Sequence, residues 1–187
     1  MVYQLTRMID TSNIQITLNN LEELYEEANE KRELRKLQFF SKLAIIEVCT
    51  WIEEIQDTML MQLMQNEIND ANRKYIEKII KRNYGFRYDE NFRKLLLNII
   101  GIIELEKIER KLEDDKGALQ RLRTELGNFK KKRDQAAHTH IKEVTEQYDA
   151  VSLTKSRFDN LVFLLNLLSR ELILWKENTH IRYPMLK

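Results

Sequence analysis

The chain has 187 residues, 43% of them hydrophobic and 33% charged, which is enough apolar material for a packed core and too much for a disordered chain. Its net charge of +1 excludes a general electrostatic pull toward nucleic acid or membrane, so anion binding has to come from a local cluster. Four glycines and a single proline, Pro184, are too few turn formers for a β-sandwich or an alternating α/β fold, and they predict an all-α protein. Cys49 is the lone cysteine, which excludes an intrachain disulfide and suits a reducing cytoplasm. The first residues, MVYQLTRMIDTSN, lack the apolar core and small-residue cleavage site of a signal peptide. The most apolar run, Leu161 to Trp175, is interrupted by Asn166, Arg170 and Glu171 and is too short to span a bilayer. The expectation is a cytoplasmic protein without a membrane partner.

No repeat, low-complexity tract or Gly/Ser/Pro linker divides the chain, so residues 1–187 read as a single domain. Residues 1–18 read as an arm, in which Ile14 to Leu18 suit a short strand. A long N-terminal helix starts near Asn19. Its first turns, with Leu21, Leu24, Ala28 and Leu34 among many charges, are polar on most faces and project partly into solvent. The stripe then strengthens through Leu37, Phe40, Leu43, Val48, Trp51, Ile55, Met59 and Leu63, flanked by Glu53 and Glu54. A second helix covers Asn72 to Arg82, closed by Asn83, Tyr84 and Gly85. A loop follows to Asn91, with Asp89 as the N-cap candidate for the next helix, Phe92 to Leu105. Lys107 to Lys116 is charged, and Asp114 and Asp115 suit a turn. A fourth main helix starts near Gly117, a polar connection spans Thr139 to Val151, and a last helix runs from Leu153 to Lys176. That last helix is apolar over so much of its circumference that it belongs at the centre of a bundle or at a dimer interface. The architecture expected is a helical bundle of four to five main helices, with its core between residues 37 and 175. Trp51 and Trp175 read as packing anchors and Cys49 as a small buried hydrophobe.

The informative stretch is KKKRDQAAHTH, Lys130 to His140, on the fourth main helix. The apolar seam there reads Leu119, Leu122, Leu126, Phe129, and steps of three and four place Arg133, Ala136 and His140 next. Arg133 therefore occupies a position built for a leucine. A buried guanidinium without a partner is costly, so it has to meet a carboxylate, a water-filled cleft or a subunit boundary. Arg121, Arg123, Lys130, Lys131 and Lys132 form a local basic patch that the net charge conceals. By spacing alone two readings stand. The segment is either a basic helix terminus favoured by the helix dipole or a site that uses Arg133 with a histidine. His138 and His140 are two residues apart, off a common helix face, and no third ligand lies near them, so no metal or cofactor is expected.

RDQAAH, Arg133 to His138, resembles the Arg-polar-x-x-Ala-His motif of the HEPN superfamily of all-α ribonucleases, many of them toxins or defence effectors. The setting is similar too: a motif near the end of a helix, then a polar connection and a strongly apolar final helix. Upstream, NYGFRYDENFRKLLLNIIG and the charged segment after it are similar to the middle of the RiboL-PSP type of HEPN domain. The resemblance covers roughly residues 37 to 175.

It implies a homodimer whose motif helices meet across a cleft, acting without metal on RNA by attack of the ribose 2′-OH on the adjacent phosphate. It also implies an antitoxin or defence-system protein as a further partner. Under it, Arg133 binds phosphate and stabilises the transition state, His138 does acid–base work, and Asp134 orients one of them. Lys130, Lys131, Lys132 and Arg123 would hold flanking phosphates. The family pattern favours His138, whereas helical geometry favours His140, seven residues from Arg133. A HEPN fold that binds RNA or scaffolds without cleaving it is the first alternative, and a plain helical protein-interaction module the second.

Overall fold

The computed structural model describes residues 9–65, 67–138 and 148–182, with side chains as far as Asn178. All its elements are helical: α1 (Ser12–Glu30), α2 (Leu34–Met64), α3 (Asp70–Lys81), a π-helical turn (Tyr88–Phe92), α4 (Arg93–Ile100), α5 (Ile102–Asp114), α6 (Ala118–His138) and α7 (Val151–Arg182). The protein is an all-α bundle, as composition predicts, but the described residues hold seven α-helices where four to five were expected.

The extra helices come from two breaks. The long N-terminal helix is in fact a hairpin of α1 and α2. Arg32 takes a left-handed φ of 55°, and the Glu33 N–H closes α1 by donating to the Ala28 carbonyl at 2.9 Å. The expected arm and strand are corrected by the same hairpin. Residues 12–18 are helical, with Ile14 and Leu18 buried against α2. The Asp10 side chain accepts from the Ser12 N–H at 2.9 Å, and the Trp51 indole donates to the Asp10 carbonyl at 2.9 Å, which fixes the entry to α1. The expected helix from Phe92 to Leu105 is also two pieces, because Gly101 at φ +77° ends α4 and starts α5.

α2 and α7 are the central helices. α2 packs on α1, α3, α4, α6 and α7, and α7 on α1, α2, α5 and α6. Phe158, Leu161, Leu164, Leu165, Leu168 and Leu172 of α7 are all buried, and Phe158 meets the Trp51 ring edge-on at 4.9 Å. Buried apolar residues from every helix, α1 to α7, join in one cluster. Cys49 is inside it. Its thiol sits 3.6 Å from the Phe129 carbonyl, and burial pushes it up to about 12, so it packs as a hydrophobe. No described helix is long and apolar enough to cross a membrane.

Asp89 does not cap α4. It accepts instead from Arg123 of α6 at 3.1 Å, and α4 grows directly out of the π-helical turn. Behind that turn, buried Glu109 of α5 takes two hydrogen bonds from Arg93, at 2.7 and 3.1 Å, and one from the Tyr88 hydroxyl at 3.0 Å. Burial and the Glu109 charge push the Tyr88 phenol far above its usual range. Glu109→Ala would strip both partners, so we expect it to cost about 2–3 kcal/mol and to lower Tm by about 5–10 °C in a thermal melt.

Candidate functional site

Two contacts between α2 and α6 show how the site is built. At the first, the Cys49 thiol lies against the Phe129 carbonyl in a dry interface. Four residues further along both helices the pair is Glu53 and Arg133, with Nη1 donating to Oε1 at 2.7 Å. The seam therefore continues in register, but its contents change from apolar to ionic. Arg133 is 28% exposed and Glu53 42%, so this is a half-open ion pair rather than a buried one.

The interface opens at this pair into a cleft of about 330 Å³, within the range of small-molecule sites. Glu53, Gln56 and Asp57 of α2 line one side, together with Arg133 of α6. Ile80 and Lys81 from the end of α3, with Asn83, Tyr84 and Gly85 after it, form the other. Both outcomes foreseen for a guanidinium in the seam, a carboxylate and a cleft, are therefore met at once.

The loop wall is held by polar contacts that the sequence around it supplies. The Gln56 amide donates to the Phe86 carbonyl at 3.0 Å. Asn91 accepts from the Arg87 N–H at 3.2 Å and donates to the Asn83 side chain at 3.1 Å and to the Tyr84 carbonyl at 3.2 Å. Gly85 sits at φ +117°, and a β-carbon there would come within 3.1 Å of Asn91 Oδ1, so this position requires glycine. Phe86 is fully buried beneath the loop, and the Arg133 guanidinium lies 5.5 Å from its ring centre in cation–π contact.

Asp57 is the perturbed acid of the cleft. Desolvation first, and the Glu53 charge second, raise its carboxyl to about 6. A carboxyl raised in the folded state binds its proton more tightly there than in the unfolded chain. Its contribution to stability is therefore greatest below about pH 4 and is lost as pH rises through about 6. Asp57 is exposed as a residue, so water screens part of the effect. Asp57→Asn should stabilise the protein at pH 8 by about 1 kcal/mol and flatten the change in Tm between pH 4 and 7.

No family model, curated protein or solved structure matches this chain.

The remaining residues singled out in the sequence fall into several groups. Asp134 is hydrogen-bonded to Lys130 and lies 3.6 Å from Arg133 Nε, and the Lys130 ammonium holds its carboxyl below the usual range. Lys132 is bound to Asp149, which also lies 3.7 Å from Arg157. Burial and the Arg157 charge lower its ammonium. Arg123 is committed to Asp89 and lies over the Tyr88 ring. Lys131 is exposed. His138 is the last residue of α6 and is exposed, and among the described residues no histidine lines the cleft. His140 and most of the expected polar connection lie outside the described residues. Glu53 was seen in the sequence only as a flank of the stripe, and Asp57, Lys81 and Tyr84 carried no functional signal there. The legible trace of the first two was two carboxylates four residues apart beside a core stripe.

Proposed function

We propose that the chain is an endoribonuclease of HEPN type that cleaves RNA without metal, possessing a composite site shared by two copies. The observation that carries this reading is Arg133. It takes a core position on α6 and yet opens into a walled cleft. Its guanidinium pairs with Glu53 through Nη1 and lies 3.6 Å from Asp134 through Nε, and the part of it still open to solvent supplies donors for a non-bridging phosphate oxygen. In the reaction the ribose 2′-OH attacks the adjacent phosphorus, the bond to the 5′-oxygen breaks, and the products are a 2′,3′-cyclic phosphate and a 5′-hydroxyl. Arg133 stabilises the charge that builds on the phosphorane, and His138 exchanges the proton with the attacking or leaving oxygen.

His138 projects from the exposed end of α6, outside the cleft that holds Arg133, so both can act on one phosphate when the second copy supplies the histidine. A toxin or defence role, with a protein that restrains the chain, is the biological setting that goes with this chemistry. Incubated with mixed RNA in EDTA, the purified wild type should give fragments ending in cyclic phosphate, resolved by gel and mass spectrometry. An RNA pool left intact would sink the nuclease reading.

The exposed position of His138 favours one second reading, RNA binding without cleavage. It would be supported by retention of RNA on the protein with no fragments formed.

A further inference from the structure

The basic patch singled out in the sequence is largely occupied by acids of its own chain, since Lys130, Lys132 and Arg123 are held by Asp134, Asp149 and Asp89. A different cationic surface lies on α3. This helix packs on α2 through Ile76, Ile79 and Ile80, and its outer face carries Lys74, Lys78 and Lys81, with Arg82 just past its end, all exposed. Steps of four and three place Lys74, Lys78 and Lys81 along one line of the helix. Among the described residues none of these four cations is engaged in an ion pair.

Two tyrosines are interleaved with them. Tyr75 is 66% exposed and Tyr84 86% exposed, at opposite ends of the row. Neither ring belongs to the buried core, and Tyr84 also lines the cleft that holds Arg133. The loop bearing Tyr84 is fixed by the Asn91 contacts and the Gly85 turn, so the ring is presented from a rigid support.

We infer that the outer face of α3 is a binding track for single-stranded RNA, on which bases stack on Tyr75 and Tyr84 while the lysine row follows the phosphates toward the Arg133 cleft. The inference rests on the nuclease reading for the choice of RNA, and it names the form of the substrate. A row of cations with an open aromatic ring toward each end suits a strand whose bases are unpaired, because a duplex hides the base faces that the rings require. An acidic peptide would use the lysines but not both rings, and an anionic membrane surface would favour apolar residues along the same edge.

The test is fluorescence anisotropy with a labelled single-stranded 12-mer of 2′-O-methyl RNA, which has no free 2′-OH and is not cleaved. Tyr75→Ala with Tyr84→Ala should weaken binding about 10-fold or more, and the double change to phenylalanine should stay within about twofold. Lys74→Ala, Lys78→Ala and Lys81→Ala together should flatten the slope of log affinity against log salt by about two. All these side chains are exposed, and a thermal melt confirms that the variants fold. The inference is overturned if the alanine pair binds like wild type. It is equally overturned if a duplex or an anionic vesicle binds better than the single strand, or if wild type shows no binding at about 100 μM, the weak limit of non-specific association. Wild type that binds through α3 but leaves cleavable RNA intact would sink the nuclease reading and keep this one. Cleavage with an unchanged KM in the tyrosine variants would do the reverse.

Discussion

Arg133→Ala is expected to lower RNA cleavage about 10²- to 10³-fold, the loss seen when one donor to a developing oxyanion is removed. The effect should fall on kcat, because the guanidinium's contact strengthens as charge moves onto the phosphorane oxygens. The fold should survive the change. Arg133 and Glu53 are both partly open to water, so an orphaned Glu53 is resolvated, and the stability cost should stay near about 1 kcal/mol. Arg133→Lys should recover little, since an ammonium lacks the planar fork that can hold Glu53 and a phosphate together. Measured by initial rates on a labelled RNA in EDTA, a rate for Arg133→Ala within about twofold of wild type would remove Arg133 from the chemistry.

Arg133 was legible because helical period is a strong signal. Leu119, Leu122, Leu126 and Phe129 are buried at the places the spacing assigns, and Ala136 resumes the seam beyond the arginine. Its partner was not legible, since Glu53 lies 80 residues away and nothing in one sequence registers α2 against α6. Helix ends failed for local reasons. The break between α1 and α2 uses Arg32 in a left-handed conformation where glycine or asparagine is the usual marker, so no punctuation stood in the sequence. At Gly101 the marker was present, but continuous apolar residues on both sides masked it.

Charge was the hardest property to read. Lys130 and Asp134 are four apart and their pairing was visible in principle. Lys132 of α6 and Asp149, just before α7, meet from 17 residues apart, which helical spacing does not describe. A run of four cations therefore looked like a phosphate site, although part of it binds the chain itself. The lysines of α3 carry no functional signal in the sequence, and only the position of Tyr84 at the cleft connects them with Arg133.

The position of His138 leads to the second large effect. Five residues on a helix rotate through about 140°, and α6 stays helical through His138, so its side chain leaves the face that carries Arg133. His138→Ala should by itself cost about 10²- to 10⁴-fold in cleavage, as expected for loss of a proton-transfer group. The decisive measurement mixes two inactive proteins. In a symmetric dimer that combines Arg133 of one copy with His138 of the other, a heterodimer of Arg133→Ala and His138→Ala carries one doubly altered site and one fully intact site. Random re-pairing after dilution or mild denaturation makes half of the dimers heterodimeric, so the mixture should recover about a quarter of wild-type activity while each parent stays below about 1%. Arg133→Ala mixed with a chain carrying both substitutions supplies the control, because that pairing contains no intact site. A mixture as inactive as its parents would place arginine and histidine in the same copy's site, and sedimentation as a monomer at micromolar concentration would exclude the shared site altogether.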